Sequence, residues 1–253
     1  MTTGNHNRPS KIVSGKPAPG SSMSVFQLKQ FASTSVHAAT GAMRWNYDKV
    51  EMIADGVVHI VGIAAGLVAT TVLVVLTSIY ASPIDIVVVS IYVAGLLSML
   101  ILSATYNLWP VSPTKWVLRR FDHSAIYVLI AATYTPFIAA LKDTVFSVAL
   151  LLGVWGVAIF GIVLKLRWPG RFDALSIGLY LALGWSGIMM YDRVIAVMPT
   201  SVLACVLTGG ILYSLGVIFH SWRRLRFQNA IWHGFVLLGA SFHYTAVLDL
   251  VLT

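Results

Sequence analysis

Residues 56–80 read GVVHIVGIAAGLVATTVLVVLTSIY, and residues 84–108 read IDIVVVSIYVAGLLSMLILSATYNL. Each stretch is as long as the ~20 apolar residues that a helix needs to cross the hydrocarbon core of a bilayer. Only two residues of the first stretch's flank, Glu51 and Asp55, and one inside the second, Asp85, are acidic, and neither stretch contains a lysine or arginine. Outward from this pair, five more apolar runs follow. They are Ser124–Leu141, Val145–Leu166, Ala174–Tyr191, Thr200–Phe219 and Ala230–Leu252, of which the first and third are the shortest. The fold class is therefore all-α, an integral membrane bundle of seven transmembrane helices.

Charge orients the bundle. Six basic residues precede the first run: Arg8, Lys11, Lys16, Lys29, Arg44 and Lys49. Three more occupy each second gap: Lys115, Arg119 and Arg120, then Lys165, Arg167 and Arg171, then Arg223, Arg224 and Arg226. The remaining gaps hold Lys142 and Arg193 alone. Basic residues near helix ends stay on the cytoplasmic side. The N-terminus is thus expected in the cytoplasm and the C-terminus outside, with a bacterial inner membrane as the expected location. At 58% hydrophobic and 10% charged residues, the chain is too apolar for a soluble domain of 253 residues. Its +8 net charge sits in short clusters beside helix ends, which suits anionic headgroups and does not point to nucleic acid. A lone Cys205 inside run six excludes an intramolecular disulfide and a CxxC metal site.

Residues 1–50 differ in composition, rich in Gly, Ser, Thr, Ala and Pro. They read as a disordered cytoplasmic tail preceding a transmembrane domain over 51–253. Within the tail, Ser24–Ala32 gathers Val25, Phe26, Leu28 and Phe31 near one helical face, the pattern of a short interfacial helix. In the bundle, Gly62 and Gly66 form a small-xxx-small pair that permits close helix approach. Pro136 inside run three should kink it.

Polar residues at membrane depth are costly and usually face a cavity or a partner. Glu51, Asp55 and His59 stand at i, i+4 and i+8, on one face of the first helix. Ser103, Tyr106 and Asn107 close run two. Asp122 and His123 open run three, and Asn229 and His233 open run seven. All four groups lie at similar depth on the cytoplasmic side, so one inward-facing pocket would serve them all. The competing reading is capping: an acid in the first turn of a helix is favoured by the dipole, and Asn107 at a helix end suits a C-cap. His243 and Asp249 lie deeper or toward the outer side; a structural hydrogen bond is the expected role of His243.

The ordered set Glu51-x3-Asp55-x3-His59, Ser103-Ala-Thr-Tyr106-Asn107, Arg119-Arg-Phe-Asp122-His-Ser124-Ala-Ile-Tyr127, Ala132-Thr-Tyr-Thr-Pro136-Phe137 and Ile231-Trp232-His233-Gly-Phe-Val resembles the hemolysin III proteins. These belong with the progestin and adiponectin-Q receptors. The resemblance covers about residues 45–252. It implies a seven-helix fold and a zinc ion near the cytoplasmic face, held by three histidines, with the serine matching Ser103 and the aspartate matching Asp122 beside it. It also implies hydrolysis of a lipid amide, as in the similar alkaline ceramidases, in which Asp122 and Ser103 would be catalytic. Two of the three histidine positions are Asn107 and Asn229 in this chain, and only His233 is retained. Amide oxygens are weaker zinc ligands than imidazole. An intact zinc site is therefore not expected; a rearranged one using His59 or His123 with His233 is an alternative to a metal-free pocket.

Three function classes follow. The chain is a lipid-binding or lipid-sensing membrane protein with a degenerate metal site, a zinc-dependent lipid amide hydrolase, or a pore-forming cytolysin. The first is the expected class, with membrane lipids as the partners. A pore would need polar residues along the whole path, whereas here they gather in the cytoplasmic half. A retinal-type pump lacks its lysine in run seven.

The charge split generates a topology prediction. A reporter fused after Thr253 should report a non-cytoplasmic location, and one fused after Pro113 a cytoplasmic one. Both on one side would refute the seven-crossing arrangement.

Overall fold

The computed structural model describes residues 48–141, 143–222 and 224–253, together with every side chain in them except that of Met190. The expected tail up to residue 47, including the Ser24–Ala32 helix, lies outside the described residues. All regular structure among the described residues is helical. The α-helices are α1 (Lys49–Tyr80), α2 (Pro83–Leu108), α3 (Pro113–Ala139), α4 (Thr144–Arg167), α5 (Asp173–Trp185), α6 (Tyr191–Ile195), α7 (Thr200–Ser221) and α8 (Gln228–Leu252). A 3₁₀ helix, Ser186–Met190, joins α5 to α6.

Four of the helix starts are written in the local sequence. Asp48 caps α1 and Ser82 caps α2, each in a reciprocal capping box with the acid three residues on, Glu51 and Asp85. Ser112 caps α3 and Asp143 caps α4. Pro83 and Pro113 occupy first helical positions, where a missing N–H costs nothing. The backbone N–H of Glu51 holds the Asp48 carboxyl below its ordinary range, with Arg226 adding to the effect. The first helix begins at Lys49, so the last residues of the expected tail belong to it.

Five helices, α1, α2, α4, α7 and α8, are long and apolar enough to cross a membrane by length and composition. The other two expected crossings differ for separate reasons. Run three continues N-terminally into a helix that starts at Pro113, so α3 has 27 residues, but its first half carries Lys115, Arg119, Arg120 and Asp122. Run five breaks: α5 spans only 13 residues before the 3₁₀ turn. Tyr134 holds the break. Its hydroxyl donates to Gly184 O at 2.8 Å and accepts from Gly187 N at 2.8 Å, with Ser186 Oγ 3.2 Å away. A backbone stretch that leaves the helix thus finds its partners in a side chain.

Neighbouring helices pack in chain order from α1 to α4, α7 packs on α8, and α8 returns to α1. The remaining wall is α5, which touches α3, α4 and α7 more lightly. Many large apolar side chains point outward, among them Val68, Leu152 and Phe160, as expected where lipid replaces water. In-helix hydroxyls such as Thr70, Thr77, Thr133 and Thr135 donate to the carbonyl four residues back, which satisfies them without any functional partner. Small residues set the closest approaches. A Cβ at Gly66 would lie 2.4 Å from Leu100 Cδ1, and one at Gly209 would lie 2.4 Å from His243 Cδ2 and 3.0 Å from Gly239 O. His243 donates through Nε2–H to Val206 O at 3.1 Å, since a carbonyl oxygen can only accept. Its role is the structural one expected.

This packing predicts a contrast between glycines. Gly209→Ala should lower unfolding stability in detergent by about 1–3 kcal/mol, because His243 must leave its place. Gly153, with nothing within 4 Å of an added Cβ, should accept alanine with a gain of up to about 1 kcal/mol from helix propensity. Equal effects in thermal unfolding would refute the close α7–α8 contact.

Candidate functional site

The polar residues at the start of α1 and α8, the end of α2 and the start of α3 meet at one end of the bundle. Their meeting begins with Glu51. Its Oε2 accepts from Asp48 N at 2.8 Å, and its Oε1 accepts from Phe227 N at 2.9 Å. Phe227 precedes α8 with a left-handed φ of 59°, and Arg226 reaches Asp48 Oδ2 at 3.2 Å. Glu51 is thus a capping acid, as one reading of the sequence held, and also a tie between the first and last helices. It lines the cavity described below as well.

One turn further along α1, the tie sets a register. His233 Nδ1 lies 2.6 Å from Asp55 Oδ1. His59 Nε2 lies 3.7 Å from Asp55 Oδ2, and the two imidazole rings are 4.5 Å apart at 50°. Asp55 and His59 are both buried. The donor atoms of Asp55, His59 and His233 all lie within 4.8 Å of one another. On the other side of His233, its Nε2 is 3.5 Å from Asn107 Nδ2. Asn107 sits inside α2 and is not its C-cap, which is Trp109. Its amide donates to Ser103 O at 3.0 Å and approaches Ser103 Oγ at 3.4 Å. Asp122 on α3 faces the Ser103 hydroxyl and His233.

His123 Nε2 stands 3.9 Å from Asp122 Oδ2, and the His123 ring meets Tyr106 edge-on at 6.3 Å. Asp122 is ten residues into the Pro113–Ala139 helix, too deep to act as a capping charge. Most of these side chains, including Asn229, border one cavity of about 1280 Å³. His59 is not among its lining residues; it joins the group from behind His233. The cavity continues past Trp185 and Tyr213 to Phe137, Leu141 and Met198. Arg119 and Phe137 are 18 residues apart on α3, which at ~1.5 Å per residue is ~27 Å, close to the thickness of a hydrocarbon core.

The structure adds charged residues that were read from the sequence as topology signals alone. Arg119 NH2 pairs with Asp173 Oδ2 at 2.9 Å, and Lys165 Nζ pairs with Asp173 Oδ1 at 2.8 Å. Both cations are buried, with side chains only 4% exposed. Lys115, also buried, donates to Asn107 O at 3.0 Å and Trp109 O at 2.8 Å, closing the last carbonyls of α2. Arg119 stands three residues before Asp122, on a shared helical face; that spacing was the one available sequence signal.

The zinc set implied by the family resemblance does not fit the residues at its positions. Asn107, Asn229 and His233 offer one imidazole between them. Asn107 turns its amide nitrogen, a donor and not a ligand, toward His233.

Comparison with known proteins gives a consistent picture. Residues 49–244 match the profile of a family described as haemolysin-III related. The "Hemolysin-3 homolog" of Bacillus subtilis (strain 168) is 37% identical over 198 residues, covering 78% of this chain and 93% of that protein. "Hemolysin-3" of Bacillus cereus is 32% identical over 202 residues, covering 80% and 92%. The human "Monocyte to macrophage differentiation factor" is 29% identical over 163 residues, covering 62% and 67%. No solved structure matches.

The Arg119–Asp173–Lys165 group yields a stability prediction. Asp173→Asn strands two buried cations and should cost about 3 kcal/mol, the lower end for breaking a buried pair, because Asp173 is itself partly exposed. Arg193→Gln, which breaks an exposed pair with Asp143, should cost about 0–1 kcal/mol. Chemical unfolding in detergent micelles checks the ranking; similar losses would contradict it.

Proposed function

The chain belongs to the haemolysin-III-related family, and on that premise we propose that it is a multi-pass membrane protein that binds or senses a lipid in its internal cavity. One observation carries this reading. A single cavity of about 1280 Å³ has ionisable and amide groups at one end and apolar side chains, Phe137, Leu141 and Met198, at the other. Water gains little from the apolar end, whereas an amphiphile matches both. The lightly packed α5 wall supports access from the side, where lipid would surround the bundle.

The same proposal includes the orientation. Seven crossings require α3 and the α5–α6 segment to span. Support comes from α3, whose Lys115, Arg119 and Asp122 are buried, so these three charges are shielded from lipid. Further support comes from the broken backbone after α5, whose polar groups are met by Tyr134. The charge pattern then sets the polar end of the cavity on the cytoplasmic side of a bacterial inner membrane.

A second reading is a hydrolase acting on a lipid amide. Asp122 facing His233 and the Ser103 hydroxyl favours it, since a carboxylate and an imidazole beside one cavity can move a proton. The family's zinc chemistry is not invoked, because Asn107 and Asn229 do not supply its ligands. Pore formation finds less support, because the far end of the cavity is lined by large apolar side chains.

Lipid extraction tests the proposal. Protein purified in detergent should carry about one lipid per chain after extensive exchange, as expected for a ligand held in a deep cavity that matches both its polar and its apolar parts. Gly210 lines the cavity beside Trp185, and its Cβ position has no neighbour closer than 3.7 Å. Gly210→Leu should fill that space and lower retained lipid roughly tenfold, equivalent to ~1.4 kcal/mol. Unchanged lipid content by mass spectrometry, with melting temperature preserved, would count against a cavity-bound lipid.

A further inference from the structure

We infer that Asp55, His59 and His233 form a binding site for one divalent transition-metal ion, a set distinct from Asn107, Asn229 and His233. The site does not rest on the lipid reading: Asp55 and His233 border the polar end of the cavity, His59 stands outside its lining, and none of the three belongs to the apolar end.

Geometry comes first. Three side chains from two helices bring one carboxylate oxygen and two imidazole nitrogens within 4.8 Å of one another. The helices are held in register by the Glu51 contact to Phe227 N, one turn above Asp55. His59 is 6% exposed, and its Nε2 is buried with no hydrogen-bond partner. A buried ring nitrogen left without a partner is costly and rare. It faces Asp55 Oδ2 at 3.7 Å. That gap is too long for a hydrogen bond. It is close to the ~3.3 Å that separates two ligands each ~2.0–2.1 Å from a tetrahedral ion. The ion therefore supplies what the Nε2 lone pair lacks.

The Asp55–His233 contact completes the set. At 2.6 Å, Oδ1 and Nδ1 share one proton. The ion takes that proton's place, the proton leaves to solvent, and the two atoms move apart to ligand spacing. Charge favours the exchange. Asp55 and Asp122 are both buried, and both face His233, so two carboxylates converge on the imidazole. A dication offsets two buried carboxylates. Two imidazoles and one carboxylate select borderline ions such as zinc, cobalt or iron(II) over magnesium or calcium, which prefer oxygen alone. Three protein ligands leave a further position open for water or a ligand from outside.

The experiment is metal binding by the full chain in detergent, read by elemental analysis, cobalt(II) absorption and melting temperature. Wild type stripped with chelator should take up about one zinc per chain and melt higher with it. His59→Ala and Asp55→Asn should each weaken binding at least roughly a hundredfold, since each removes a ligand outright. Asn229→Ala should leave affinity unchanged. His59→Cys should keep cobalt and gain a thiolate-to-cobalt charge-transfer band absent from wild type. That band decides the case even if the other two variants fold poorly. The inference is overturned by no metal uptake in wild type, by affinity that survives His59→Ala, by affinity lost in Asn229→Ala, or by cobalt bound to His59→Cys without the new band.

Discussion

The Glu51 carboxylate is the contact on which the arrangement depends. One oxygen completes the cap of α1 and the other receives the first free N–H before α8. A helix start leaves several N–H groups without partners. By meeting donors of both helices at once, Glu51 closes the ring of helices at its sequence ends. Everything four or more residues further in inherits that register. Asp55 meets His233, and Gly62 faces Leu237 with only 3.4 Å to spare for a Cβ.

Once the ring is closed, the polar residues have one place to go. Hydrocarbon tolerates ionisable groups only when partners or water satisfy them. The described polar side chains sort accordingly. Those near the Glu51 end form pairs across helices: Asp55 with His233, Arg119 and Lys165 with Asp173. Those deeper in the bundle, such as Thr70 and Thr133, turn back onto their own helix. This division produces a cavity that is polar at one end and apolar at the other. The asymmetry suits an amphiphile and opposes a conducting path.

The relation to the family sharpens the picture. This chain is similar in sequence over most of its length to the Bacillus relatives, while Asn107 and Asn229 occupy positions where the resemblance calls for imidazole. The polar end has not become apolar as a result. It keeps His233, surrounds it with Asp55, His59 and Asp122, and spends the Asn107 amide on Ser103. His123, an alternative partner of His233 by sequence, turns instead toward Asp122 and Tyr106.

The sequence alone determined the helical class, the apolar runs and the four clusters of polar residues near one end of the bundle. These follow from local rules: length against bilayer thickness and the cost of a charge in hydrocarbon. It did not determine where α3 begins or that run five breaks, because the buried charges of Lys115 and Arg119 mimic a loop, and Tyr134 compensates the break from a distant helix. Nor did it decide which polar atoms touch. In a soluble helix the apolar stripe marks the inward face, but these helices are apolar toward lipid and toward the core alike. Periodicity therefore leaves each helix free to rotate about its axis. Only the tertiary contacts, above all Glu51 to Phe227 and the glycine-lined approaches of α1 and α8, fix those rotations and bring Asp55, His59 and His233 to one point.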